Sequence, residues 1–164
     1  MDADRLPGFK GGAAAAMVGV ALLGPCAATA APEVASTLSG SWGGSGRIYY
    51  TDNSSENISC SAYYTSSGND LRMAIQCRSD RNPIHIRSTL RIDGRRASGE
   101  WEERTFNASG RATGTVSPGN ISLQVSGGGF NGSMTVSYSK SSHTVTISTQ
   151  GIAMKSATMR FSRR

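Results

Sequence analysis

The chain has 164 residues, a formal net charge of +6 and an aromatic content of 7%. That length sets one domain rather than several. So few aromatics cannot supply the two interfacial girdles of an outer-membrane barrel.

Residues 1–30 read as a signal peptide for export. Arg5 and Lys10 give a weakly basic start, Ala13 to Leu23 an apolar run, and "ATA" at Ala28 to Ala30 the small residues of a cleavage site. The apolar run is too short to span a bilayer, which takes about 20 residues. Cys26 follows Pro25, which breaks the pattern for lipid attachment, so lipoprotein anchoring is not expected. The expected location is the periplasm or the outside of the cell. "APEVASTL", residues 31–38, then forms a flexible N-terminal arm ahead of a single all-β domain at 39–164.

Alternation of apolar and polar residues carries the domain from there. "LSGSWGGSGRIYY" places Trp42 with Ile48 and Tyr50 on one face. "ENISCSAYY" groups Ile58, Cys60, Ala62 and Tyr64, and "DLRMAIQCR" groups Leu71, Met73, Ile75 and Cys77. With the leader gone, Cys60 and Cys77 are the two remaining cysteines, an even count that reads as one disulfide in an exported protein. Both fall on apolar faces of consecutive strands joined by the turn "SSGND", so the bond staples a hairpin from the core side. In "PIHIRSTLRID", Ile84, Ile86, Leu90 and Ile92 face one way and His85, Arg87, Thr89 and Arg91 the other. "ASGEW" brings Trp101 onto the face of Ala97 and Gly99, with Glu103, a carboxylate that needs partners if buried. "NASGRATGTV" then offers only Ala108, Gly110, Ala112 and Gly114 inward, which marks either a bent barrel corner or the wall of a cavity. Four further alternating runs reach Phe161. Turns recur roughly every 10 residues, the spacing of an all-β antiparallel meander. The expected fold is an up-and-down barrel of about 8–10 strands, with a β-sandwich as the alternative.

Chemistry is sparse. His85 and His143 are placed on the polar side of a strand or at a strand start, without ligand partners, so no metal is expected. Glu100 and Glu102 lie opposite Trp101 and Glu103 in parity, which reads as a solvated edge rather than a catalytic pair. No nucleophile elbow or phosphate loop occurs, so neither catalytic residues nor a cofactor are expected and the protein is read as not an enzyme. Beyond Glu103 all charged side chains are basic, and Arg87, Arg91, Arg95 and Arg96 mark a candidate polyanion surface. Those arginine strands lack the interleaved aromatics that nucleic-acid binding uses.

"LSGSWGGSGRI", "ISCSAYY", "LRMAIQCRSD", "ASGEW", "VSGGGFNGSMTV" and "TVTISTQG" together resemble a small family of secreted alphaproteobacterial, rhizobial-type β-proteins of unknown function. Gly-X-Trp on the first strand is also similar to calycins, namely lipocalins, avidins and bacterial metalloprotease inhibitors. That resemblance implies a barrel plugged at one end by Trp42 under a late arginine, with Arg160 the best match and Arg163 second. The reading is an exported, non-enzymatic binding protein for a small apolar or amphiphilic ligand, with Trp101, Gly110, Ala112 and Gly114 as the candidate cavity. One alternative is inhibition of a secreted protease through the N-terminal arm. Another is an envelope or polyanion interaction through the arginine surface.

Overall fold

The computed structural model describes residues 30–81 and 83–164. The expected leader at 1–30, with Cys26, lies outside the described residues apart from Ala30, where helix α1 (Ala30–Leu38) begins. Ten strands follow: β1 (Gly40–Tyr50), β2 (Ser55–Ser67), β3 (Asp70–Arg78), β4 (Ile84–Asp93), β5 (Arg96–Glu103), β6 (Ala108–Ser117), β7 (Asn120–Gly127), β8 (Phe130–Tyr138), β9 (Ser142–Gln150) and β10 (Met154–Arg163). Each strand pairs antiparallel with the next, and β1 pairs with β10. The sheet therefore closes into a barrel, and the sandwich alternative falls away. Closure leaves no strand edge free to pair with another chain.

Strand parity decides what fills the interior. Ile48, Ile58, Leu71, Ile75, Leu90, Leu123 and Val145 are buried inside, while the alternate positions carry Ser, Thr and Arg to the outer face. This is the reverse of a lipid-facing barrel, whose apolar band points outward. No helix among the described residues is long and apolar enough to cross a membrane. Cys60 and Cys77 form a disulfide between directly opposed positions of β2 and β3, with both sulfurs in the core.

The two ends of the barrel differ. At one end α1 lies across the opening. Pro32 sits in its first turn, where its missing N–H leaves no helical bond unmade. Val34 and Leu38, one turn apart, are 1% and 0% exposed. The segment expected as a free arm is thus a plug, because those two side chains find the core before they can find a partner. The inhibitor reading thereby loses the free arm among its motives, while the Gly-X-Trp motif and the disulfide stand. Trp42 lies beneath, fully buried, and donates its indole N–H to the carbonyl of Leu38 at 2.8 Å.

The arginine over Trp42 is Arg163, at 4.3 Å from the ring centroid, and not Arg160. Parity explains the correction. Met159 and Phe161 point inward, so Arg160 between them points out and is exposed, whereas Arg163 shares the inward register. Its guanidinium donates to the carbonyls of Thr37 at 2.7 Å, Ser39 at 2.9 Å and Lys140 at 3.1 Å. One side chain so ties the helix, the entry to β1 and the β8–β9 turn to the last strand.

His143 is a third correction. The expectation put it on a polar face or at a strand start; it does lie at the start of β9, next to Ser142, but it points into the core and is 2% exposed. Its ring stacks on Phe161 at 4.6 Å and meets Trp42 and Tyr64 edge-on. Its Nε2 is 2.9 Å from the Tyr64 hydroxyl. Burial, with the charge of Arg163 second, holds the imidazole pKa down at about 4.

Two outcomes follow for the closed end. Arg163→Ala should lower stability by about 1–3 kcal/mol, and Arg163→Lys should not restore it, because an ammonium cannot fork to three carbonyls; urea denaturation of the three proteins measures this. For His143 the unfolded chain takes up a proton below its ordinary pKa near 6.5 while the folded chain resists until about 4. Stability should therefore be unaffected above pH 6.5 and fall between 6.5 and 4, by at most about 3 kcal/mol. A His143→Phe variant should show a flatter profile across that window in the same denaturation experiment.

Candidate functional site: the open mouth of the barrel

Among the described residues, the opposite end has no helix across it. Its rim is made by the β1–β2, β3–β4, β5–β6, β7–β8 and β9–β10 connections. Here the inward side chains change character. Ile84, Ile86, Trp101, Ile147 and Met154 pack against the core yet remain only half-buried, and half-buried Phe130 lies against Trp101. An apolar lining that stays open to solvent on one side is the usual chemistry of a small-ligand pocket.

Two unpartnered polar groups interrupt that lining. Ser88 and Trp101 stand directly opposite each other on β4 and β5, on the inward face. The Oγ of Ser88 and the Nε1 of Trp101 are shut off from solvent and, among the described residues, have no hydrogen-bond partner. Leaving such a group unpaired costs about 1–3 kcal/mol, and orphaned groups of this kind call for an explanation. The Trp101 ring packs against Phe130, with centroids 5.2 Å apart. The β7–β8 turn folds over its outer edge through Gly128, where a Cβ would lie 2.8 Å from Cβ of Ala108 and 3.3 Å from Cη2 of Trp101.

The carboxylates of the mouth are anchored. Glu103 shares the Trp101 face, and its two oxygens accept the backbone N–H groups of His85 and Phe106, each at 2.7 Å. Glu56 is buried and accepts the hydroxyl of Tyr50 and the backbone N–H of Arg81. Burial acts to raise its pKa, but hydrogen bonds from Tyr50, Ser79 and the Arg81 backbone, with the Arg81 charge, hold it below the usual carboxylate range. Tyr50 is pushed up to about 12 by burial and by Glu56. The Arg81 guanidinium lies 4.0 Å over the Tyr50 ring and donates to Ser54 Oγ at 2.8 Å. This cluster locks the β1–β2 turn to the β3–β4 loop and fixes one lip of the mouth.

The other expected residues divide. Trp101 and Gly110 are opposed across β5 and β6 in the mouth half. Ala112 is buried, and it and Gly114 lie further toward the closed end. At Gly110 and Gly114 a Cβ would come within 1.8 and 1.9 Å of the carbonyl oxygens of Ser126 and Ser122. Glycine there lets β7 approach closely. Arg87, Arg91, Arg95 and Arg96 are all exposed, but Arg87 stands opposite Glu102 and Arg96 opposite Asp93, and Arg91 reaches Asp70 at 3.6 Å. A groove of about 660 Å³ along β2–β6 is lined by Arg72, Arg87 and Arg111, by Glu100 and Glu102, and also by Ser88, Trp101 and Gly110. Its charged side chains alternate in sign and stand at the outward strand positions.

Fold and mouth together define a ten-stranded calycin-like barrel with one sealed and one open end. Comparison by sequence finds no matching family model and no matching curated protein. Among solved structures, the chain is similar to Rv2717c from M. tuberculosis, with a TM-score of 0.69 at 15% identity over 82% of this chain and 97% of that one. It is also similar to the S-type phycobiliprotein lyase CPES from Guillardia theta, with a TM-score of 0.59 at 13% identity over 84% of this chain and 94% of that one. At such identities the likeness is one of fold.

Substitutions in the β7–β8 turn test the packing over Trp101. Gly128 and Gly129 both have positive φ, at 59° and 82°, but only Gly128 has close neighbours. Gly129→Ala should cost about 1–2 kcal/mol from backbone conformation alone. Gly128→Ala should cost more, about 2–4 kcal/mol, because steric overlap adds to it. Thermal unfolding of both variants gives the comparison.

Proposed function

We propose that the protein is an exported binding protein that takes a small, largely apolar ligand into the open mouth of its barrel. The observation that carries the reading is the contrast between the ends. At the sealed end Val34, Leu38 and Trp42 are fully buried, and the indole of Trp42 has its acceptor. At the mouth the apolar side chains remain half-open, and the indole of Trp101 has none. Burying even about 100 Å² of such surface under a ligand is worth roughly 2–3 kcal/mol. The Cys60–Cys77 disulfide fits an oxidising, exported compartment. A phycobiliprotein lyase on a similar barrel is in keeping with small-molecule use of the fold, as analogy only.

The test uses the two tryptophans as reporters of place. The neutral apolar dye Nile red should show saturable fluorescence enhancement. A brominated long-chain alcohol should quench Trp101 while leaving Trp42 bright, and Trp101→Phe should remove the quenchable component. Absence of saturable dye binding, or equal quenching of both tryptophans, would overturn the reading.

A further inference from the structure

Resting on that reading, we infer that the mouth selects an uncharged ligand bearing a hydrogen-bond acceptor, a ketone, quinone, lactone or ester carbonyl on an apolar body, and discriminates against free carboxylates. The recognising groups are the Trp101 Nε1–H and the Ser88 hydroxyl.

Donor chemistry fixes the first half. An indole N–H can only donate, and a serine hydroxyl can donate while its proton rotates to suit. Both are occluded and unpartnered, and they face each other across β4 and β5 in an apolar setting. The group that completes this pair must therefore accept. A carbonyl oxygen, with two lone pairs, accepts from both at once.

Electrostatics fixes the second half. Among the described residues, the strand positions facing this half of the interior carry no lysine or arginine, but they do carry Glu56 and Glu103. Glu103 is two residues from Trp101 on the same face of β5. Its oxygens are satisfied by backbone N–H groups rather than by a cation. Arg81 stands exposed at the rim, over Tyr50 and beside Glu56, where its charge is already answered. An anionic headgroup at Trp101 would be desolvated without a counter-charge and would meet a like charge nearby, two costs that a neutral carbonyl avoids. Sites built around polar groups of this kind discriminate strongly, because the wrong partner leaves them unpaired.

The experiment compares three probes of one chain length on the full chain: a long-chain methyl ketone, the corresponding carboxylate at pH 8 and the corresponding alkane, each competing with Nile red. The ketone should bind about tenfold more tightly than either of the others, the worth of one or two buried hydrogen bonds. The infrared carbonyl stretch of the bound ketone should move to lower frequency, and the shift should diminish in both Trp101→Phe and Ser88→Ala. Ser88→Ala removes a hydroxyl that has no partner, so it should leave folding intact. A carboxylate that binds as tightly as the ketone, or a carbonyl stretch indifferent to both substitutions, would overturn the selectivity while leaving the mouth a binding site. If the dye binds nowhere on the protein, the mouth reading fails and this one with it.

Discussion

The guanidinium of Arg163 lies flat over Trp42 and reaches the carbonyls of Thr37, Ser39 and Lys140. The shape of the interior depends on that contact. It holds α1 over one end of the barrel, keeps Val34 and Leu38 in the core, and fixes the Trp42 indole where it can donate to Leu38. A ring of strands has two open ends by construction. Sealing one of them turns a tube into a cup and confines solvent entry to the other. Even His143 is explained from here, since the plugged end is dry enough to keep an imidazole neutral well into the acid range.

The two tryptophans make the same point from opposite sides. Each follows a Ser-Gly-X pattern on its strand, and each indole points inward. Trp42 meets a carbonyl supplied by the helix, and its donor is used within the protein. Trp101 lies among half-open apolar side chains and its donor is unspent. Natural interiors seldom leave a buried N–H unpaired. Where they do, a missing partner from outside the chain is a physical explanation, and the open rim beside Trp101 gives that partner a route.

Much of the fold was legible in the sequence because strand parity is a strict rule. Apolar residues two apart in β2, β3 and β4 announced the inner face, and the same parity brought the cysteines together. Two residues show where the reading stopped short. Ser88 has inward parity between Ile86 and Leu90, so the polar break in that apolar face was visible, although nothing in one strand announced that its neighbour would be Trp101. Glu56 likewise shares the parity of Ile58, but its partners Tyr50 and Arg81 come from other elements. Helix α1 was missed for a different reason. Nine residues are too few to be helical alone, and their stability comes from packing Val34 and Leu38 onto a barrel end that forms only when all strands are in place. The choice between Arg160 and Arg163 turned on register, which motif matching ignores and alternation supplies.

The order of the strands bears on how the chain reaches this state. Every pairing but one joins neighbours in sequence, so nine hairpin contacts can form locally, each by closing a short loop. The tenth pairs β1 with β10 and places Trp42 opposite Arg163, at the far end of the chain. That pairing bears the largest loop-closure entropy, and the helix plug waits on it. A chain emerging N-terminus first would hold its first strand unpaired on one side until the last had emerged, and the four glycines of β1 leave much of that waiting edge without side chains to stick to another chain.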